Sequence, residues 1–535
     1  MTIMPVISKC KAVVRKFASL FRLYPADPAV YPGAGKLWNE TTIKKDGSDL
    51  LAIQCVPDKF YFLTFSSVRC VLSELRPGPA ELVVVRAMSG AVGDGFAAEL
   101  KRSPLLIWLW MKPWLRAFGP LVDGIGYRAA YWSNPLAEIS DRQRAGILWR
   151  ELRQQGENFS LEIDGVEVAD LIIDSYLRFR PAPRFDVHSK FVRRLILQAI
   201  RDVRSAHRYF ERRRPAWYLT SYSTYLEHGV PTRVAAKLGI PVWSFGTLQQ
   251  FGKRLSIDDP YQTINFLEYK TCFERVADKE RALEEAASQL EIRLGGGIDL
   301  ATPYMRQSAY ANSSNQPLDE LRGAVVIFLH DFYDSPHVYP DMVFDDFWDW
   351  VCFTIDVLDQ NGTLFYLKPH PNQIVLSDNV LPLLKAKYPN ARWLTSDVTN
   401  VQLARSNIAC GITVYGTVAH ELGYLGVPTI GCARHPHVAF DFCRTAKTRN
   451  DYQNLVRDFL KDPLPKEQLR REALQFYYVH NMYGSEQELG LRRAFASLWR
   501  VCNVGEQREE DLLEALDHLT HLPAFRQRVQ EIASC

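Results

Sequence analysis

No stretch of 18 or more uncharged apolar residues occurs in the 535-residue sequence, which argues against a helix that spans a bilayer. Ten cysteines are scattered from Cys10 to Cys535 without a single CxxC pair or a His-rich companion spacing. That absence disfavours both a disulfide scaffold and a structural zinc site, and it fits a reducing cytoplasm. A net charge of one sign is also missing. Lys and Arg total 64 against 61 Asp and Glu, a formal charge of +3, so nothing global points to nucleic acid. There is no internal repeat and no low-complexity tract. What is present is ample apolar content, 47 % of residues, in a chain long enough for about two to four domains.

One local absence carries a message. From Met1 to Pro25 there is no acid, while Lys9, Lys11, Arg15, Lys16 and Arg22 alternate with Val6, Ile7, Val13, Val14, Phe17, Leu20 and Phe21. Residues 1–25 read as a basic amphipathic helix suited to an anionic bilayer surface. The plainer alternative is a helix packed on its own domain. Charges interrupt the apolar core that a signal peptide would need. A second run, Leu105 to Arg116 with Trp108, Trp110 and Trp114, reads either as an interfacial belt or as a seam between domains.

The remainder alternates strand and helix patterns. Leu82–Arg86, Trp217–Thr220 and Val242–Phe245 read as strands, with helices at 137–155, 192–210 and from about Pro231 to Leu238. The stretch from 258 to Leu294 reads as mostly helical, and Gly295-Gly296-Gly297 begins a connector. A second series follows: strands at 324–329, 363–368, 408–412 and 428–431, alternating with helices at 346–358 and 398–405 and one from Thr417. The pattern predicts two α/β, Rossmann-like domains facing a central cleft, with helical extensions at both ends. The expected boundaries are a first Rossmann-like domain over 26–257, a helical connector over 258–318, a second Rossmann-like domain over 319–480 and C-terminal helices over 481–535.

Chemistry-bearing residues fall at successive strand ends of the second series. His330, Ser335 and His337 follow its first strand, Lys368, His370 and Pro371 the next, and Thr413, Tyr415, Gly416, Thr417 and Glu421 a later one. The last group reads as a phosphate cradle, in which backbone N–H groups and threonine hydroxyls meet at the start of a helix. The plainer alternative is a strand-turn-helix in which Gly416 supplies an unusual backbone angle.

On these residues the second half resembles the donor-binding half of two-domain (GT-B) glycosyltransferases that build bacterial capsule and lipopolysaccharide. The likeness is to the β-Kdo transferase group and, more distantly, to the CMP-sialyltransferases. It rests on His370-Pro371 and on the Thr413–Thr417 turn, which in such enzymes hold the cytidine and phosphate of a CMP-sugar. The run Gly416 to Pro428 is shared more widely, including by UDP-sugar enzymes and polyol-phosphate transferases. In the first half, 164–178 and 220–235 resemble paired segments of the same group, with Tyr222 where those proteins often carry His.

The resemblance implies a cytoplasmic enzyme, peripheral to the inner membrane, that transfers an acidic sugar, Kdo foremost, from a CMP donor to a growing glycan or glycolipid. It implies no cofactor besides the donor. For the carboxylate, Asp174 and Glu227 are the candidates, with His228 as base and Tyr222, Tyr225 and Arg233 on the acceptor side. A single leaving phosphate does not demand a divalent cation, and no DxD pair lies in a suitable loop, so metal independence is expected. The competing readings are a CDP-polyol phosphotransferase, a UDP-sugar 2-epimerase and a non-enzymatic nucleotide-binding scaffold.

Overall fold

The computed structural model describes residues 43–85, 100, 103–128, 135–155, 160–180, 182–301, 310, 316–370, 379–504 and 508–535. The expected basic helix over 1–25 and Pro371 lie outside them.

The first domain contains β1 (Leu51–Cys55), α1 (Lys59–Leu75), β2 (Ala80–Val84), α2 (Pro104–Phe118), β3 (Gly124–Arg128) and α3 (Pro135–Gln155). A two-residue-stranded hairpin, β4 (Glu162–Ile163) and β5 (Val166–Glu167), leads into α4 (Ala169–Phe179) and α5 (Lys190–Arg213). Then come β6 (Trp217–Thr220), α6 (Tyr225–Lys237), β7 (Val242–Ser244) and β8 (Lys253–Leu255). The sheet order is β3-β2-β1-β6-β7-β8, parallel except for β8. Central β1 is buried along its whole length, as a parallel strand covered on both faces must be. The hairpin turns at Asp164 and Gly165, both at positive φ (51° and 76°), the geometry that two-residue β-turns demand.

Two helices, α7 (Tyr269–Glu274) and α8 (Lys279–Leu294), cross to the second domain. There β9 (Val325–Phe328), α9 (Phe347–Gln360), β10 (Phe365–Lys368), α10 (Val380–Lys387), β11 (Arg392–Trp393) and α11 (Asn400–Arg405) alternate. They are followed by β12 (Cys410–Ile412), α12 (Val418–Tyr424), β13 (Thr429–Gly431), β14 (Cys443–Thr445), α13 (Arg449–Arg457) and α14 (Lys466–Asn481). This sheet runs β11-β10-β9-β12-β13-β14, all parallel. Both sheets therefore place the earliest strand in the middle, with the strand order reversing beside it, the dinucleotide-fold order in which ligands bind at the switch point outside the strand carboxyl ends. Two Rossmann-like sheets facing a cleft are the GT-B-like architecture expected from the alternation.

The chain ends in α15 (Glu486–Asn503), α16 (Glu509–His521) and α17 (Pro523–Ala533). These return to the first domain. Phe495 packs on Phe60 and Phe251 at ring distances of 4.9 Å each, and Phe525 on Phe251 at 5.4 Å. The connector helices go the other way, packing Phe273, Ala286 and Leu290 with Phe442, Phe476 and Tyr477 of the second domain.

Three local expectations are corrected. The Trp-rich run forms α2 and packs one face into the first core, with Trp114 and Phe118 buried against Phe62, so it is not an interdomain seam. Helix α6 begins at Tyr225, six positions before Pro231, because burial of Leu226 and Val230 outweighs the backbone bond that an internal proline forfeits. The segment from 258 is an irregular, bent loop until Tyr269, held by buried Lys253, whose Nζ donates to the Tyr261 carbonyl at 2.7 Å and pairs with Asp259 at 2.8 Å.

Candidate functional site

At the carboxyl edge of the second sheet the loops after β9, β10 and β12 meet. His330 leaves β9 and is buried, stacked on Phe347 at 5.0 Å and edge-on to Tyr415 at 4.8 Å. Its Nε2 accepts the Val414 N–H at 3.1 Å and lies 3.0 Å from the Thr413 hydroxyl. Burial drives its pKa down to about 3, with His370 adding to the effect, so the ring is neutral and braces the turn. Thr413 Oγ1 in turn accepts the Gly416 N–H at 3.1 Å. A Cβ at Gly416 would stand 2.8 Å from that oxygen. Gly416 is therefore required for close approach; its φ is not positive.

Thr417 is exposed, and its hydroxyl makes no cap bond to α12. Lys368 closes β10, buried, with Nζ donating to the Ser396 carbonyl at 3.1 Å. Burial pulls its pKa down to about 8, against the opposing charges of Glu421 and Asp397. His370 is exposed within electrostatic reach of Asp331 and Lys368. Glu421 faces away from open space. Its carboxylate accepts Arg293 Nε at 2.7 Å, Asn400 Nδ2 at 2.6 Å and the Tyr310 hydroxyl, a buried ion-pair network that fixes α8 to α12.

In the first domain, Glu227 and His228 open α6 and are both buried. His228 is engaged at both ring nitrogens: Nε2 lies 3.2 Å from Glu227 Oε1, and Nδ1 lies 3.2 Å from Gln54 Nε2 and 3.3 Å from Ser221 Oγ. Tyr222 packs edge-on against Tyr61 at 5.4 Å and against His228 at 5.8 Å. Tyr225 holds φ at +60°, a conformation that costs a bulky residue about 1–3 kcal/mol and that concentrates at functional sites.

The two halves join at Asp174. This carboxylate is buried in the interior of α4, 1 % exposed, yet both oxygens are bound by the second domain. Oδ1 pairs with His337 Nδ1 at 2.7 Å, and Oδ2 accepts the Ser335 hydroxyl. Burial disfavours the imidazolium, but Asp174, with Asp170 and Asp345 behind it, outweighs that and raises the His337 pKa above its ordinary 6.5. Tyr415 donates to the Ser335 carbonyl at 3.1 Å and lies within electrostatic reach of Asp174 and Tyr225. The Thr413–Thr417 turn, the strained start of α6 and the Asp174–His337 pair thus abut.

Beside them opens a pocket of about 430 Å³, lined by the β4–β5 hairpin, Asp170, Arg233, Tyr261 and His337. Arg233 is locked to Asp170 through Nη1 at 2.7 Å and Nη2 at 2.5 Å. His337 lines this pocket while its Nδ1 is held by Asp174. Sequence reasoning named Asp174 and His337 separately but not as partners. Tyr261 and Asp170 carried no motif that would have singled them out.

No protein-family model matches the chain, and no curated protein matches it. Among solved structures it is similar to KpsC of Thermosulfurimonas dismutans, a β-Kdo 2,4 transferase, at 13 % identity, covering 50 % of this chain and 79 % of that one with a TM-score of 0.30. It is similar to the UDP-GlcNAc 2-epimerase of Methanocaldococcus jannaschii at 10 % identity, covering 80 % and 97 %, TM-score 0.25. It is also similar to Alr3699/HepE of Anabaena in complex with UDP, at 12 % identity, covering 81 % and 95 %, TM-score 0.25. Likenesses of this size leave the architecture to be read from the strand order of the two sheets.

Proposed function

We propose that the chain is a glycosyltransferase that moves an acidic sugar, Kdo foremost, from a CMP donor to a hydroxyl of a glycan or glycolipid. The observation that carries this reading is the Asp174–His337 pair, made by residues of different domains at the lip of a pocket. In-line transfer needs an anchored leaving phosphate on one side and a base for the acceptor hydroxyl on the other. For the first we assign Lys368, His370 and Thr417, around the turn that Thr413 and His330 hold rigid. For the second we move the base from His228, whose two ring nitrogens are engaged, to His337. Asp174 orients that ring through Nδ1 and stabilises the cation formed when Nε2 takes the hydroxyl proton.

Arg233, Tyr225 and Tyr261 then stand on the acceptor side. Glu421 becomes a positioning residue, supporting the helix behind the cradle. The CMP leaving group carries one phosphate, which a single buried lysine can meet without a divalent cation. Calorimetry with CMP, CDP and UDP tests the donor. Preferential CMP binding, weakened at least tenfold by His370→Ala, is the expected result. A preference for UDP or CDP, or binding of none, would contradict the donor assignment.

A further inference from the structure

Away from the cleft, the loop between β13 and β14 folds three metal-ligating side chains together in the core of the second domain. His435 and His437 lie in that loop and Cys443 opens β14. All three are buried, and their ligand atoms lie within 4.8 Å of one another. His435 Nε2 stands 3.9 Å from Cys443 Sγ and 3.0 Å from the Thr445 hydroxyl. His437 Nε2 stands 3.1 Å from His420 Nδ1.

The last contact raises a proton-counting problem. Each neutral ring carries one proton, and one ring must donate to the other. That leaves one bare lone pair and one N–H at the two outer nitrogens, His437 Nδ1 and His420 Nε2. Both are buried without a hydrogen-bond partner among the described residues. Such atoms are costly in an apolar surround, here Phe442, Phe476 and Tyr477. A ligand for the lone pair of His437 Nδ1 removes that atom's share of the cost.

We propose that His435 Nε2, His437 Nδ1 and Cys443 Sγ bind a zinc ion that staples the β13–β14 loop to the edge of the second sheet. Two imidazoles and a thiolate in a closed, buried setting suit tetrahedral Zn²⁺, while hard oxygen-seeking cations find no carboxylate in the set. The Thr445 hydroxyl or a water completes the four ligands. Proton balance is simple. The Cys443 thiol gives one proton to solvent, and both imidazoles stay neutral. The His437 proton sits on Nε2 and is donated to His420, which fixes the direction of that bond. Zinc at His435 Nε2 puts that ring's proton on Nδ1, so the His437 amide, which now donates to Nδ1 at 3.1 Å, must turn away from the ring on binding. The spacing is His-x-His-x5-Cys, which a search for CxxC pairs passes over.

The test is a titration of the chelator-treated full chain with Co²⁺ and then Zn²⁺. The expected result is a thiolate-to-cobalt charge-transfer band, its displacement by one equivalent of Zn²⁺, release of one proton per zinc bound, and a rise in melting temperature. Cys443→Ser abolishes the band, whereas Cys352→Ser, a buried cysteine of α9, keeps it. A folded wild-type protein that gives no band and releases no proton overturns the proposal, and so does a band that survives Cys443→Ser. The wild-type proton count decides the matter even if the Cys443 variant does not fold.

Discussion

Asp174 is a carboxylate in a helix interior whose hydrogen bonds are made by another domain, and residues of this kind could be listed from the sequence but not paired. Asp174 and His337 stand 163 positions apart, one on a helix and one in a loop, so no spacing rule joins them. Lys368 is a second residue whose environment sets its chemistry. Burial lowers its pKa to about 8 in the free protein, and a bound phosphate would favour the ammonium and raise it again. CMP binding then takes up a proton, so affinity is highest below pH 8 and falls as pH rises through about 8, by about tenfold per unit at most. Calorimetry across pH should show that decline in the wild type and weaker, pH-flat binding in Lys368→Gln. Flat binding in the wild type would remove Lys368 from the site. The zinc ligands were missed for a related reason: their burial and their His–His contact exist only after β13 and β14 pair.

At the level of elements, the second sheet was legible because each of its central strands is a short apolar run followed by a polar loop, from Val325–Phe328 to Thr429–Gly431. The first sheet was harder. Gln54 interrupts β1, two glycines thin β3, and α2 carries apolar side chains on nearly every face, so its core role and a membrane role look alike in sequence. Pro231 misled the start of α6 because proline favours a first helical turn and nothing local signals that tertiary burial carries the helix back to Tyr225. Helix α6 also fixes α4, and with it Asp174, by direct backbone approach at Gly229. A Cβ there would stand 2.4 Å from Leu171 Cδ2 and 2.8 Å from the Ser223 carbonyl. Gly229→Ala should therefore lower stability by about 1–3 kcal/mol in urea denaturation and reduce turnover through the displaced α4. A neutral variant would show that the two helices can slide without consequence.

Across the whole molecule, the chain enters the first domain, crosses to the second and returns, so the last helices close the core that the first strand begins. Phe495 lies between Phe60 and Phe251, and Phe495→Ala should cost about 3–5 kcal/mol, read from the unfolding transition of the full chain. A negligible change would mean that α15 adds nothing to that core. The same return path lets the buried Asp174 of the first domain hold His337 of the second at the pocket wall, which is the central claim. It is tested most directly by the rate at which the protein releases CMP from CMP-Kdo with water as acceptor, followed across pH. The base is the neutral ring of His337, whose pKa is raised above 6.5, so the rate should climb as pH rises through that raised value and then level. Asp174→Asn removes the partner that raises it, so the climb should move to lower pH and the plateau should fall about 10²–10⁴-fold, with CMP affinity retained. An unchanged plateau and profile in Asp174→Asn would contradict the account.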